Sequence, residues 1–170
     1  MTSDKVKIGI IGLGNMGSVH VRHVLNLPNT ELAAICDIDP AMIKRITDQV
    51  DVPAYDDHQT MLESADLDGI IIATPHYSHP EITLHGFEKG IHVLVEKPIG
   101  VHINDAQSMI DGYAEALKTY PNLVFEAMFM QRTYGHWRKI KAMIDNGELG
   151  QWIRTTWIIT DWFRTKSYYD

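Results

Sequence analysis

One cysteine, Cys36, stands in 170 residues. That count excludes a disulfide framework and a thiolate zinc site. Cys36 lies in an apolar stretch and reads as a small packing residue. Basic residues are scarce: 15 Lys and Arg against 22 Asp and Glu leave a net charge of −7. A nucleic-acid surface needs the opposite balance, and no basic cluster supplies it locally. No apolar run approaches the ~20 residues needed to cross a bilayer. Met1-Thr2-Ser3-Asp4-Lys5 leads straight into an apolar stretch with no signal peptide before it. The expectation is a cytoplasmic, reducing setting, with neither membrane nor nucleic acid as partner. The chain is long enough for one good core but short for two complete domains.

What the chain does have is a glycine turn. Residues 8–17 read Ile-Gly-Ile-Ile-Gly-Leu-Gly-Asn-Met-Gly. A β-branched run, Lys5–Ile11, precedes the turn and a helical pattern, Ser18–Leu25, follows it. G-x-G-x-x-G between a strand and a helix predicts a dinucleotide-binding turn far better than the spacing does in isolation. Gly12 permits the tight turn, Gly14 lets a diphosphate approach the backbone, and Gly17 lets the helix pack on the strand. The helix N-terminus offers N–H groups and a positive dipole end to phosphate. A tight turn with no ligand is the alternative.

Strands and helices alternate thereafter. Strands are predicted at Glu31–Cys36, around Pro53–Tyr55, and at Asp68–Ala73, Ile91–Val95 and Leu123–Met128. Helices are predicted from Asp39-Pro40 to about Val50, near His58–Ser64, and at Pro80–Lys89 and Asn104–Thr119. Asp39 and Pro40 fit the N-cap and first helical position. Nearly continuous apolar strands alternating with helices predict an α/β fold, a Rossmann-type doubly wound parallel sheet in the order 3-2-1-4-5-6. A helix at Gly135–Asn146 and a long strand at Gln151–Phe163 are predicted to follow.

In such a sheet the chemistry lies beyond the carboxyl ends of the strands. Asp37 ends strand two, twenty residues after Gly17 (37 − 17). A carboxylate there accepts from both ribose hydroxyls and repels a 2′-phosphate. Ile38, Asp39 and Pro40 follow it, with no cation, so NAD is preferred to NADP. A helix cap is the alternative role for Asp37, but Asp39 already fills it. Strand four ends in Thr74-Pro75-His76-Tyr77-Ser78-His79, and strand five in Glu96-Lys97-Pro98. These flank strand one and should face the nicotinamide end. Lys97 is the catalytic candidate: an ammonium there orients a substrate hydroxyl or stabilises charge on a carbonyl oxygen. Glu96 is positioned to pair with it. A plain surface Glu-Lys at a strand end is the alternative.

Nine histidines invite a metal reading. His20 and His23 lie one turn apart on the first helix, and His76 and His79 share a loop. No cluster combines three ligands at a known spacing, so no metal site is expected. His20 and His23 read as helix-face residues. Arg132 follows strand six, where it could reach an anionic or hydroxyl-rich substrate. Trp152, Trp157 and Trp162 mark an aromatic strand face, of the kind used as core or interface.

With these residues in place, the sequence resembles the glucose–fructose oxidoreductase and inositol dehydrogenase (Gfo/Idh/MocA) family along the whole chain. The resemblance is carried by Gly12-Leu13-Gly14-Asn15-Met16-Gly17, Asp37, Ala73-Thr74-Pro75-His76-Tyr77-Ser78-His79, Glu96-Lys97-Pro98 and Ile144-Asp145-Asn146-Gly147-Glu148-Leu149-Gly150. Glu-Lys-Pro is the most specific of these. The resemblance implies an NAD-dependent oxidoreductase moving hydride to or from a carbinol or carbonyl carbon of a sugar or cyclitol-like substrate. It implies cofactor contacts from Gly12, Gly14, Asn15, Met16, Gly17, Asp37, Thr74, Pro75, His76, Glu96 and Lys97, with Lys97 beside the nicotinamide and substrate hydroxyl. The family usually has Asn where His76 stands, so that contact differs here. Family members are longer, with a second domain carrying a mostly antiparallel sheet, the subunit interface and a histidine that accepts the proton. The implied organisation is an NAD-binding domain over 1–128 and the start of an α+β substrate and oligomerisation domain over 129–170. A homo-oligomer is expected of the full-length form, and a binding module without turnover is the alternative function.

Overall fold

The computed structural model describes residues 5–160, 163, 165 and 166. Its strands are β1 (Val6–Ile11), β2 (Thr30–Cys36), β3 (Ala54–Tyr55), β4 (Gly69–Ile72), β5 (His92–Val95) and β6 (Phe125–Ala127). Its helices are α1 (Asn15–Asn26), α2 (Pro40–Thr47), α3 (His58–Ser64), α4 (His79–Glu88), α5 (Ile103–Ala116) and α6 (Gly135–Asp145). The six strands form one sheet in the order β3-β2-β1-β4-β5-β6, with every pairing parallel. This is the doubly wound order with its switch point between β1 and β4.

Alternation along each strand sends side chains to opposite faces. Ile10 and Ile35 pack with Val21 and Val24 of α1 and Ile46 of α2. Ile11, Cys36, Ile70, Ile72, Val93 and Val95 pack with Met61 of α3 and with Ile82 and Phe87 of α4. Both faces are therefore covered, which is why these strands read as continuous apolar runs. Short-range chemistry sets the helix starts. Asp39 caps α2 by accepting from the Ala41 N–H at 2.8 Å, with Pro40 at the first position. Asp57 caps α3 by accepting from the Thr60 N–H at 2.7 Å.

The chain divides into two compact units, Met1–Phe129 and Met130–Asp170. In the second, a 3-10 turn at Met130–Arg132 is followed by α6. The long strand expected at Gln151–Phe163 is not formed over residues 151–160, which carry no regular structure. Trp162 and Asp161 lie outside the described residues. A strand needs a neighbour to take its backbone hydrogen bonds, and no described residue supplies one. Trp152 and Trp157 are exposed there, and Trp157 meets Trp137 of α6 edge-on at 5.1 Å between ring centroids. Among the described residues, no helix is long and apolar enough to cross a membrane.

Candidate functional site

The glycine turn shows three different reasons for three glycines. Gly12 has φ +90, a region that disfavours side chains, and a Cβ there would meet the Thr74 backbone nitrogen at 2.6 Å. A Cβ on Gly17 would lie 1.8 Å from the Gly12 carbonyl oxygen, so the start of α1 could not pack on the turn. Gly14 is different. Its φ is −60, which any residue adopts, and a Cβ there would meet nothing within 4 Å. Neither backbone nor packing requires glycine at 14. A ligand approaching that backbone would. Gly14 is also the N-cap of α1, with no side-chain cap and no acid in the first turn. The positive end of a 12-residue helix is thereby left to face the cleft.

That cleft has a volume of about 760 Å³ and runs along the carboxyl ends of the strands in the first unit. This is within the range of small-molecule and cofactor sites. Gly12, Gly14, Asn15, Met16, Asp37, Thr74, Pro75, His76, Glu96 and Lys97 all line it. Gly17 sits behind the turn and does not. Arg132, the predicted substrate contact, belongs to the second unit, exposed on its 3-10 turn.

The Asp37 carboxylate divides its work. One oxygen accepts the Leu13 N–H of the glycine turn at 2.6 Å, and the other accepts the Asp39 N–H at 2.9 Å. It therefore locks the turn to the end of β2 and keeps its remaining lone pairs for a ligand. Asp39, Asp56 and Asp57 line the same cleft, which makes this end of it strongly acidic. From outside the cleft, Arg45 of α2 donates to the Leu13 carbonyl and, at 2.6 Å, to the Ser18 hydroxyl. Sequence reasoning missed Arg45, because 32 residues separate it from Leu13.

One histidine behaves differently from expectation. His20 is not a surface helix-face residue: it is 5% exposed, and its Nε2 lies 2.9 Å from Glu96 Oε1. Its neighbour His23 is exposed, as expected of a helix face. Glu96, also 5% exposed, accepts the Lys97 backbone N–H on its other oxygen at 3.1 Å. The expected Glu96–Lys97 side-chain pair is thus replaced by a buried Glu96–His20 pair. The reason is burial: Glu96 points into the protein and Lys97 out of it. Among the described residues Lys97 has no ion-pair partner. His79 is fully buried between the Thr74 carbonyl (2.9 Å) and the Pro98 carbonyl (3.0 Å), tying the loop after β4 to the loop after β5. Burial holds its pKa below the ordinary histidine value against the raising effect of both carbonyls. Burial also pushes the Cys36 thiol up to about 12, which suits a packing residue and not a nucleophile.

The residues present fit a dinucleotide. An open backbone seat at Gly14 faces the cleft at an uncapped helix end, and an acid ends β2. The Thr74 hydroxyl is buried with no protein partner among the described residues.

Comparison with known proteins agrees. The family model described as "Oxidoreductase family, NAD-binding Rossmann fold" matches residues 6–121. Inositol 2-dehydrogenase of Salmonella typhimurium is 29% identical over 149 residues, covering 86% of this chain and 43% of that protein. The crystal structure of myo-inositol 2-dehydrogenase from Lactobacillus plantarum superposes with a TM-score of 0.78 and 31% identity, over 87% of this chain and 43% of that one. Scyllo-inositol dehydrogenase from Lactobacillus casei, solved with bound NAD(H) and scyllo-inositol, gives 0.77 and 29%, over 86% of this chain and 43% of that one. The chain thus spans less than half the length of these relatives. With its sheet order, glycine turn and matched residues all in agreement, the chain belongs to the Gfo/Idh/MocA family, the oxidoreductase family with an NAD-binding Rossmann fold.

Proposed function

We propose that this chain forms the nucleotide-binding part of an NAD-dependent oxidoreductase that acts on a carbinol or carbonyl carbon of a sugar or cyclitol. The observation that carries the reading is Gly14, whose backbone lies open on the cleft at the start of α1 with no packing contact that calls for glycine. Gly14, Asn15 and Met16 hold the diphosphate at the start of α1. Asp37 holds the adenosine ribose, and Thr74, Pro75 and His76 line the path toward the nicotinamide. When bound, the cofactor supplies the hydride acceptor or donor. Lys97 places an ammonium on the cleft wall, where it orients the substrate oxygen and stabilises charge developing on it. Glu96, anchored by His20, fixes the backbone from which Lys97 projects. The substrate class is drawn from the relatives, several of which are inositol dehydrogenases. Their length also suggests that a further domain completes the substrate wall and joins copies of the protein.

The acidic end of the cleft sets the cofactor choice. Asp37, with Asp39, Asp56 and Asp57 nearby on the lining, opposes a 2′-phosphate. Calorimetric titration with NAD and with NADP tests this: NAD should bind more tightly. Asp37→Asn keeps an oxygen for the Leu13 N–H and removes the charge. It should narrow the preference, since hydrogen bonds to a charged group contribute about 1.5–3 kcal/mol. Tighter binding of NADP by the unaltered protein would overturn the ribose assignment.

A further inference from the structure

The sequence offers no recognisable metal spacing, but the fold assembles one. His58 is the first residue of α3, and Glu81 and His85 lie one turn apart on one face of α4. The packing of α3 beside α4 brings His58 Nε2 to 3.0 Å from His85 Nδ1, with the rings stacked at 20°. One ligand atom from each of His58, Glu81 and His85 lies within 4.8 Å of the others. Among the described residues, no other group of three or more histidine, cysteine, aspartate and glutamate side chains meets that condition.

We propose that His58, Glu81 and His85 form a binding site for a borderline divalent transition ion, zinc above all. Two imidazoles and one carboxylate are a donor set suited to zinc, with the fourth position left for water. Calcium and magnesium, which need six or more oxygen ligands or a hydrated octahedron, do not fit it. Two nitrogens on one zinc at 2.0–2.1 Å stand roughly 3.3 Å apart in a tetrahedral arrangement. The imidazole nitrogens therefore need to part by only a few tenths of an ångström. The bland reading of the same geometry is a hydrogen bond between two neutral imidazoles. That reading accounts for the histidine pair but gives Glu81 no part. Accessibility favours entry of an ion: Glu81 is exposed, and His58 and Glu81 both line the nucleotide cleft. Asp56 and Asp57, on the same lining, add negative potential that draws a cation. An ion here would staple α3 to α4 at the rim of the cleft, in a role separate from hydride chemistry and independent of the nucleotide reading.

The test is calorimetric titration of the chelator-stripped protein with Zn²⁺, alongside absorption spectroscopy with Co²⁺. The expected result is uptake of one Zn²⁺ per chain and a Co²⁺ spectrum of low coordination number. His58→Ala and Glu81→Gln should each weaken Zn²⁺ binding by more than the roughly 10–100-fold typical of outer-shell changes. His23→Ala, an exposed histidine on α1, should leave it unchanged. Glu81 is exposed, so Glu81→Gln tests the site without threatening the fold. Circular dichroism of each variant separates lost binding from lost structure. No saturable uptake, or uptake unchanged in His58→Ala, would overturn the proposal. Loss in His58→Ala with none in Glu81→Gln would overturn the three-ligand assignment.

Discussion

Lys97 and Glu96 are adjacent in sequence and opposite in environment. Glu96 is buried against His20, while Lys97 is exposed on the cleft wall with no ion-pair partner among the described residues. A cation left uncompensated beside a cofactor cleft is suited to act on a substrate oxygen. Lys97→Met keeps most of the apolar stem and removes the charge. In a polypeptide that also carries a substrate domain, turnover should fall by roughly the 10²–10⁴-fold of a positioned acid–base group. NAD affinity should change far less, since the ammonium is assigned to the substrate side. Steady-state kinetics paired with NAD titration gives both readouts. Undiminished turnover would remove Lys97 from the chemistry. At this scale the candidate residues were legible because they occupy strand ends, which the topology makes predictable. Their partners were not. Neither the 76-residue separation of His20 from Glu96 nor the 32-residue separation of Arg45 from Leu13 leaves a local pattern.

At the scale of elements, the His20–Glu96 contact links α1, which carries the glycine turn, to the end of β5, which carries Lys97. Removing one partner of a buried, hydrogen-bonded pair strands the other. His20→Ala should destabilise the protein by about 1.5–3 kcal/mol, the range for a hydrogen bond to a charged group. His23→Ala, one turn away and exposed, should stay within about 0.5 kcal/mol. Urea unfolding of the two variants compares them directly, and equal effects would show that the buried contact contributes little. The strands themselves were readable: runs such as Gly69-Ile70-Ile71-Ile72 are apolar on both faces because helices cover both. The predicted strand at Gln151–Phe163 shows the limit of that signal. Its apolar and aromatic residues resemble those of a strand, but residues 151–160 have no pairing partner among the described residues and are irregular. A strand is a relation between two segments, and composition reports on only one of them.

On the scale of the whole molecule, the first unit places every proposed nucleotide contact except Gly17 on a single cleft, and Gly17 shapes the turn from behind. The central claim is that this cleft seats a dinucleotide diphosphate at Gly14. Gly14→Val separates the claim from fold stability, because Gly14 has ordinary φ and open space where Cβ would go. The most direct measurement is thermal unfolding of Gly14→Val together with calorimetric titration of NAD. The account predicts a melting temperature close to that of the unaltered protein, with NAD binding abolished. A variant that binds NAD with undiminished affinity would contradict it.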